Sequence, residues 1–153
     1  MQYIAPLRFA IKGCNIISYL LEKTRVVHQT ASERNYHSFY MLLAGASPEM
    51  REDLFLLPAE QFLYLNQSGC CEIQGRSEVE EYALLNESMA HLNLDREVQY
   101  HIYQILAAIL QLGNVQFMPS GDVEGGSEIA DVKCMQMVRL SAGLGSCSRI
   151  YTD

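Results

Sequence analysis

The residues best suited to covalent chemistry are Cys70 and Cys71, which follow Gly69 in a turn-rich stretch. A thiol becomes a nucleophile where positive charge holds the thiolate, but the adjacent charge is Glu72, which pushes a thiol pKa upward. Small buried side chains are the economical reading of the pair. An unrelated thiol enzyme would rest on these two residues alone. The four histidines, His28, His37, His91 and His101, never fall at i, i+4 on one expected helix face, so they give no metal site. Glu78, Glu80 and Glu81 are paired carboxylates by count, yet in the first turn of a helix they favour its positive end. Phosphate chemistry would need a GxxxxGK run ending in Ser or Thr, and the chain has none. Gly143-Leu144-Gly145 reads as a helix stop.

Composition narrows the classes further. The chain has 153 residues, a formal net charge of −7 and 49% hydrophobic residues. A chain of this length can bury about 70% of its unfolded surface, enough for a core. The acidic balance, without a Lys/Arg run, lacks the footprint of nucleic-acid or anionic-membrane binding. Cys14, Cys70, Cys71, Cys134 and Cys147 contain no CxxC pair, a usage expected of reduced thiols inside a cell. The first residues show no basic region and no long apolar run, so no signal peptide is expected. The apolar stretch 102–112 is interrupted by Gln104 and Gln111 and is too short for a membrane span.

The elements that must position these residues are mostly helical. Residues 1–27 favour strand around Tyr3-Ile4, from Leu7 to Ile11 and along Ile16 to Leu21. Two or three strands without partners make no stable sheet. The charged tetrad Glu22-Lys23-Thr24-Arg25 reads as a solvated turn, after which Val26-Val27 resumes an extended pattern. Thr30 and Glu33 have capping-box spacing, so the first helix should open there, with Tyr36, Phe39, Tyr40 and Leu43 inward and Gly45 as its stop. Ser47-Pro48 opens a second helix, closed before Pro58. Ser77 and Glu80 open a third, with Val79, Tyr82, Leu85, Met89 and Leu92 inward. Asp95 caps a fourth whose apolar positions are Val98, Ile102, Ile105, Ile109 and Leu112, with Leu106 and Leu110 as a second line and Gly113 as the stop. Val115 to Phe117 suggests a short strand, 118–127 a surface loop, and Ile129 to about Leu144 a last helix.

The run Tyr19-Leu20-Leu21-Glu22-Lys23-Thr24-Arg25-Val26-Val27, followed by Glu33-Arg34-Asn35-Tyr36-His37-Ser38-Phe39-Tyr40 and Leu42-Leu43-Ala44-Gly45-Ala46, resembles the myosin motor domain. That family carries YLLEKSRVV and then ERNYHIFYQLLAGA at this spacing. Two further stretches keep its order. Tyr64 to Cys70 resembles YLNQSGC, and Ile105 to Val115 resembles ILAAILHLGNI. Thr24 stands for the usual Ser, Ser38 and Met41 for the commoner Ile and Gln, and Leu63 for His or Gln. Beyond Phe117 the likeness is weak.

The resemblance implies a mainly α chain with a few β-strands, a slice of a P-loop NTPase-type head that lacks the P-loop itself. Residues 1–27 correspond to transducer-like strands and linker, 28–117 to the helical upper 50 kDa subdomain, 118–127 to a surface loop and 128–153 to a divergent end. The nucleotide switches would lie on either side of this slice. The resemblance assigns Glu22, Lys23 and Arg25 a structural coupling role, with a solvated turn as the alternative, and makes Glu33, Arg34, Asn35 and Tyr36 a helix-start motif. No catalytic, cofactor or metal residue is expected in the segment, while the full-length family uses ATP and Mg. The implied partners are the rest of a motor head and, through it, an actin filament, with neither nucleic acid nor a membrane span. The implied location is the cytoplasmic cytoskeleton, in a myosin complex. The alternative function is a free-standing helical interaction module without ATPase activity.

Overall fold

The computed structural model describes residues 15, 17, 19–121 and 126–143. The strands expected near Tyr3-Ile4 and Leu7 to Ile11 lie outside these residues, as do Cys14, Cys147 and the tail from 145 onward. Ile17, Tyr19 and Leu20 are 85, 84 and 83% exposed and form no strand, contrary to the β-rich reading of this run. An extended segment becomes a strand only against a neighbour, and no described residue supplies one here.

The tetrad leads into a helix instead of a turn. Helix α1 is Lys23–Val27, so Val26 and Val27 are helical and not extended. Helix α2, His37–Gly45, begins later than the Thr30 spacing predicts and has no side-chain cap. Thr30 and Glu33 close a tight turn through Glu33 N–H to Thr30 O at 3.0 Å, and no regular structure follows until His37. Phe39, Tyr40, Leu42 and Leu43 of α2 are buried, each stabilising by about 1.5–3 kcal/mol.

Local capping accounts for the next starts. Ser47 accepts from Met50 N–H at the head of α3, Pro48–Asp53, whose first residue is proline. A 3-10 turn, Ala59–Gln61, and the short helix α4, Leu63–Asn66, follow. Ser77 caps α5, Glu78–His91, by accepting from Glu80 N–H, and Asp95 caps α6, Arg96–Gly113, by accepting from Val98 N–H. Strands β1, Phe117–Pro119, and β2, Ser127–Ile129, form an antiparallel hairpin that pairs Phe117 with Ile129 and Pro119 with Ser127. Both ends of the expected 118–127 loop are thus strand. The last helix, α7, is Val132–Ser141, shorter than expected, because Ile129 belongs to β2.

Helix α6 touches α2, α4, α5 and α7 and forms the centre of the packing. Its buried face is Gln99, Tyr103, Ala107, Leu110 and Gln111, whereas Val98, Ile105 and Leu112 are exposed. Of the expected apolar positions, Leu110 is buried and Ile102, Leu106 and Ile109 pack against the core, so the expected face is right in part and Val98, Ile105 and Leu112 are the ones misplaced. Gln99 and Gln111 turn inward because their amides donate to Leu94 O and Phe55 O, at 2.7 and 2.6 Å. A buried amide with a carbonyl partner carries little penalty. In α5 the inward set shrinks to Tyr82, Leu85 and Met89, while Val79 and Leu92 are exposed.

The two expected helix stops have another purpose. Gly45 and Gly113 are the last residues of α2 and α6. A side chain at Gly45 would run into the Tyr82 ring of α5, and one at Gly113 would lie 2.7 Å from the Tyr64 ring of α4. Glycine is required here for close approach. Two other helices stop differently: Phe55 (φ 52°) and Asn93 (φ 61°) end α3 and α5 in left-handed geometry. Leu56 N–H then bonds to Arg51 O, and Leu94 N–H to Met89 O, closing Schellman turns. No described helix is long and apolar enough to cross a membrane.

Candidate functional site

A five-residue helix is too short to persist on its own, so α1 must be held from outside. Its last carbonyls are all occupied. Thr24 O accepts from His28 N–H at 3.0 Å, Arg25 O from the Gln29 amide at 2.6 Å, Val26 O from the Asn35 amide at 2.9 Å and Val27 O from the Gln67 amide at 2.8 Å. Three side-chain amides thus stand where the next helical turn would be. The Asn35 amide also donates to Tyr64 O at 2.9 Å, and Asn35 Oδ1 accepts from Tyr36 N–H at 2.8 Å. Asn35 therefore binds α1, α4 and the entry to α2 at once.

The charged residues of the linker form a chain of contacts. Arg25 Nε donates to Glu22 Oε2 at 2.7 Å, its Nη1 donates to Arg34 O at 3.2 Å, and Glu33 lies 3.6 Å away. The neighbouring carboxylate of Glu22 raises the Arg25 pKa further. The Tyr36 hydroxyl donates to Glu22 O at 3.0 Å. Lys23 is exposed and joins none of these contacts among the described residues.

Arg34 faces the other way. Its side chain is only 4% exposed and lies 3.7 Å above the centre of the Tyr40 ring. Nη1 donates to Glu78 Oε1 at 2.7 Å and Nη2 to Cys71 O at 2.9 Å. Arg76 approaches Glu78 at 3.5 Å and Glu81 at 3.3 Å. Arg34 was expected to serve the start of α2, but its side-chain contacts reach Glu78 of α5 and the Cys71 carbonyl in the loop before it. Sequence reasoning also missed Gln29, Gln67 and Glu78 as members of this cluster. The available signal was the amide side chains inside the two motifs, Asn35 in one and Gln67 in the other.

A cleft of about 420 Å³ opens beside the cluster, lined among others by Arg25, Glu33, Arg34, Tyr36, His37 and Cys70. The Cys70 thiol in its lining donates to Glu72 O at 3.7 Å. Burial, and next the Glu60 carboxylate, push the Cys71 thiol pKa up, and its Sγ lies 3.7 Å from Leu65 O. The described residues include no group of His, Cys, Asp and Glu that could hold a metal ion. The side chains of this site are engaged in holding backbone and one another.

Such an assembly defines a positioning segment, in which one short helix is fixed by motifs far apart in the chain. The family model described as "Myosin head (motor domain)" matches residues 6–145, and the chain belongs to that family. It is 48% identical over 107 residues to the Myosin-I heavy chain of Dictyostelium discoideum, an alignment covering 70% of this chain and 4% of that protein. Myosin-2B of Naumovozyma castellii is 47% identical over 106 residues, covering 69% and 8%. The Myosin IB heavy chain of Dictyostelium discoideum is 40% identical over 125 residues, covering 82% and 11%. The chain thus spans a small part of the length of the curated relatives it matches.

Proposed function

We propose that this chain is the coupling portion of an ATP-dependent, actin-based motor head, structural in role and without a catalytic centre of its own. The match of the motor-domain family over residues 6–145 carries this reading. The structure adds support through the tethered linker helix. Glu22 and Arg25 hold its amino end and face Glu33 and Arg34, while Asn35 and Gln67 hold its carboxyl end. Residues 1–27 belong with the sheet strands and linker of a P-loop NTPase-type head, and 28–117 with its upper subdomain.

In that arrangement ATP and Mg²⁺ are bound by other sequence, because phosphoryl transfer needs a phosphate-cradling Lys, a held metal ion and a positioned water. The 153 residues contain no GxxxxGK run to supply the first of these. The partners are the remainder of the head and, through it, an actin filament, in the cytoplasmic cytoskeleton. Two measurements test the reading. Purified chain should release no phosphate from ATP with or without actin, and turnover above a blank overturns the structural role. A motor head carrying this segment with Arg25→Ala should lose actin activation while ATP affinity stays unchanged. Unaltered activation would remove the linker from the coupling path.

A further inference from the structure

Three buried polar atoms without a hydrogen-bond partner gather in one place: Arg34 Nε, Arg76 Nε and Glu78 Oε2. The other Glu78 oxygen, Oε1, lies 2.7 Å from Arg34 and 3.5 Å from Arg76. One carboxylate at the start of α5 is therefore shared unequally by two guanidinium groups, hydrogen-bonded to Arg34 and only ion-paired with Arg76 Nε, while Glu78 Oε2 and Arg34 Nε have no hydrogen-bond partner among the described residues. Unpaired polar atoms in a low-dielectric interior are costly, which favours an alternative pairing that engages them.

Arg34 is also attached to α1 by two routes. Its own carbonyl accepts from Arg25, and the next residue, Asn35, holds Val26 O. A movement of the Arg34 side chain that shifts residues 34 and 35 must act on both contacts. We propose that Glu78 is a positioning residue that sets the state of the α1 linker through Arg34, with Arg76 as the competing partner that can take the carboxylate over. The physical basis is a contiguous set of contacts from α5 to α1 with two available pairings at its centre. The inference rests on the coupling role proposed above for the linker.

Amide hydrogen exchange on the full 153-residue chain tests it. Glu78→Gln should speed exchange several-fold at His28 and within 23–28 while leaving α6 and α7 unchanged, and Arg76→Gln should slow exchange at the same amides. Loss of protection spread evenly over all helices, or no change at 23–28, overturns the proposal. Glu78→Asp, which keeps the charge, should restore part of the protection. If Glu78→Gln fails to fold, the Arg76→Gln and Glu78→Asp pair decides by the same readout, and unchanged protection in both overturns it. The two readings separate in a motor head carrying Glu78→Gln. Altered protection at 23–28 with normal actin activation keeps the junction and discards the coupling role.

Discussion

Asn35 and Gln67 cap adjacent carbonyls of the same short helix, Val26 O at 2.9 Å and Val27 O at 2.8 Å. The two residues come from separate motifs, one before α2 and one at the end of α4. Their joint action fixes the linker against the helical body, and it is the reason a five-residue helix stands here at all.

The buried pair Arg34–Glu78 should behave as a unit. Arg34→Met leaves Glu78 without its close partner and removes the cation over Tyr40, at a cost of about 3–5 kcal/mol. The nearby Arg76 places the value toward the lower end. Arg34→Met combined with Glu78→Leu should cost clearly less than the sum of the single changes. Urea unfolding of the four proteins in the cycle measures this, and strict additivity would contradict the pairing.

Gly45→Ala and Gly113→Ala should both destabilise the chain. Alanine has about 1 kcal/mol better helix propensity than glycine, so exposed helical sites would gain from the change. Here the added methyl meets the Tyr82 or Tyr64 ring, and overpacking of this kind costs about 1–3 kcal/mol. A rise in the urea midpoint for either variant would show that the rings give way freely.

Stability should fall at alkaline pH. Burial raises the Tyr103 pKa above its ordinary value of 10.0, and burial does the same for Tyr40 and Cys71. A group whose folded pKa is raised contributes fully below its unfolded pKa, and the contribution is lost as pH rises through the folded pKa. The decline should therefore begin near about pH 9 to 10. Tyr103→Phe should flatten it while costing about 1–3 kcal/mol at neutral pH, because Asn86 Oδ1 loses its donor. Denaturant melts across the pH range give the answer, and an unchanged slope in the variant would exclude Tyr103 as the cause.

Cys71 should alkylate slowly. Its raised pKa leaves little thiolate at about pH 8, where an ordinary thiol reacts readily. Iodoacetamide labelling followed by mass spectrometry should find Cys71 modified more slowly than a free cysteine under the same conditions. Fast labelling in the folded chain would revive the thiol-enzyme reading.

What could be read in advance was local. Ser47, Ser77 and Asp95 cap their helices through bonds to residues three positions on, so their sequence context holds all the physics. Helix α1 was not legible, because its stabilisation comes from Gln29, Asn35 and Gln67, the last far away in sequence. The buried face of α6 was misplaced only in part, since Ile102, Leu106, Ile109 and Leu110 do pack on the core, and for a related reason. Loop carbonyls at Leu94 and Phe55 draw Gln99 and Gln111 inward, and Ile105 and Leu112 are left outside. Of the site, the resemblance located the linker and the Glu33–Tyr36 stretch. The partnership of Arg34 with Glu78 was hidden, since Glu78 also suits the helix end it occupies.

The glycine and tyrosine pairs have a consequence for divergence. In Gly45–Tyr82 and Gly113–Tyr64 an aromatic ring fills the volume that a methyl group would need. Neither partner can change size alone, because one order of events overfills the site and the other empties it. Each pair should thus be inherited as a unit, and a related chain with a side chain at the position of Gly45 should carry something smaller than a ring opposite it.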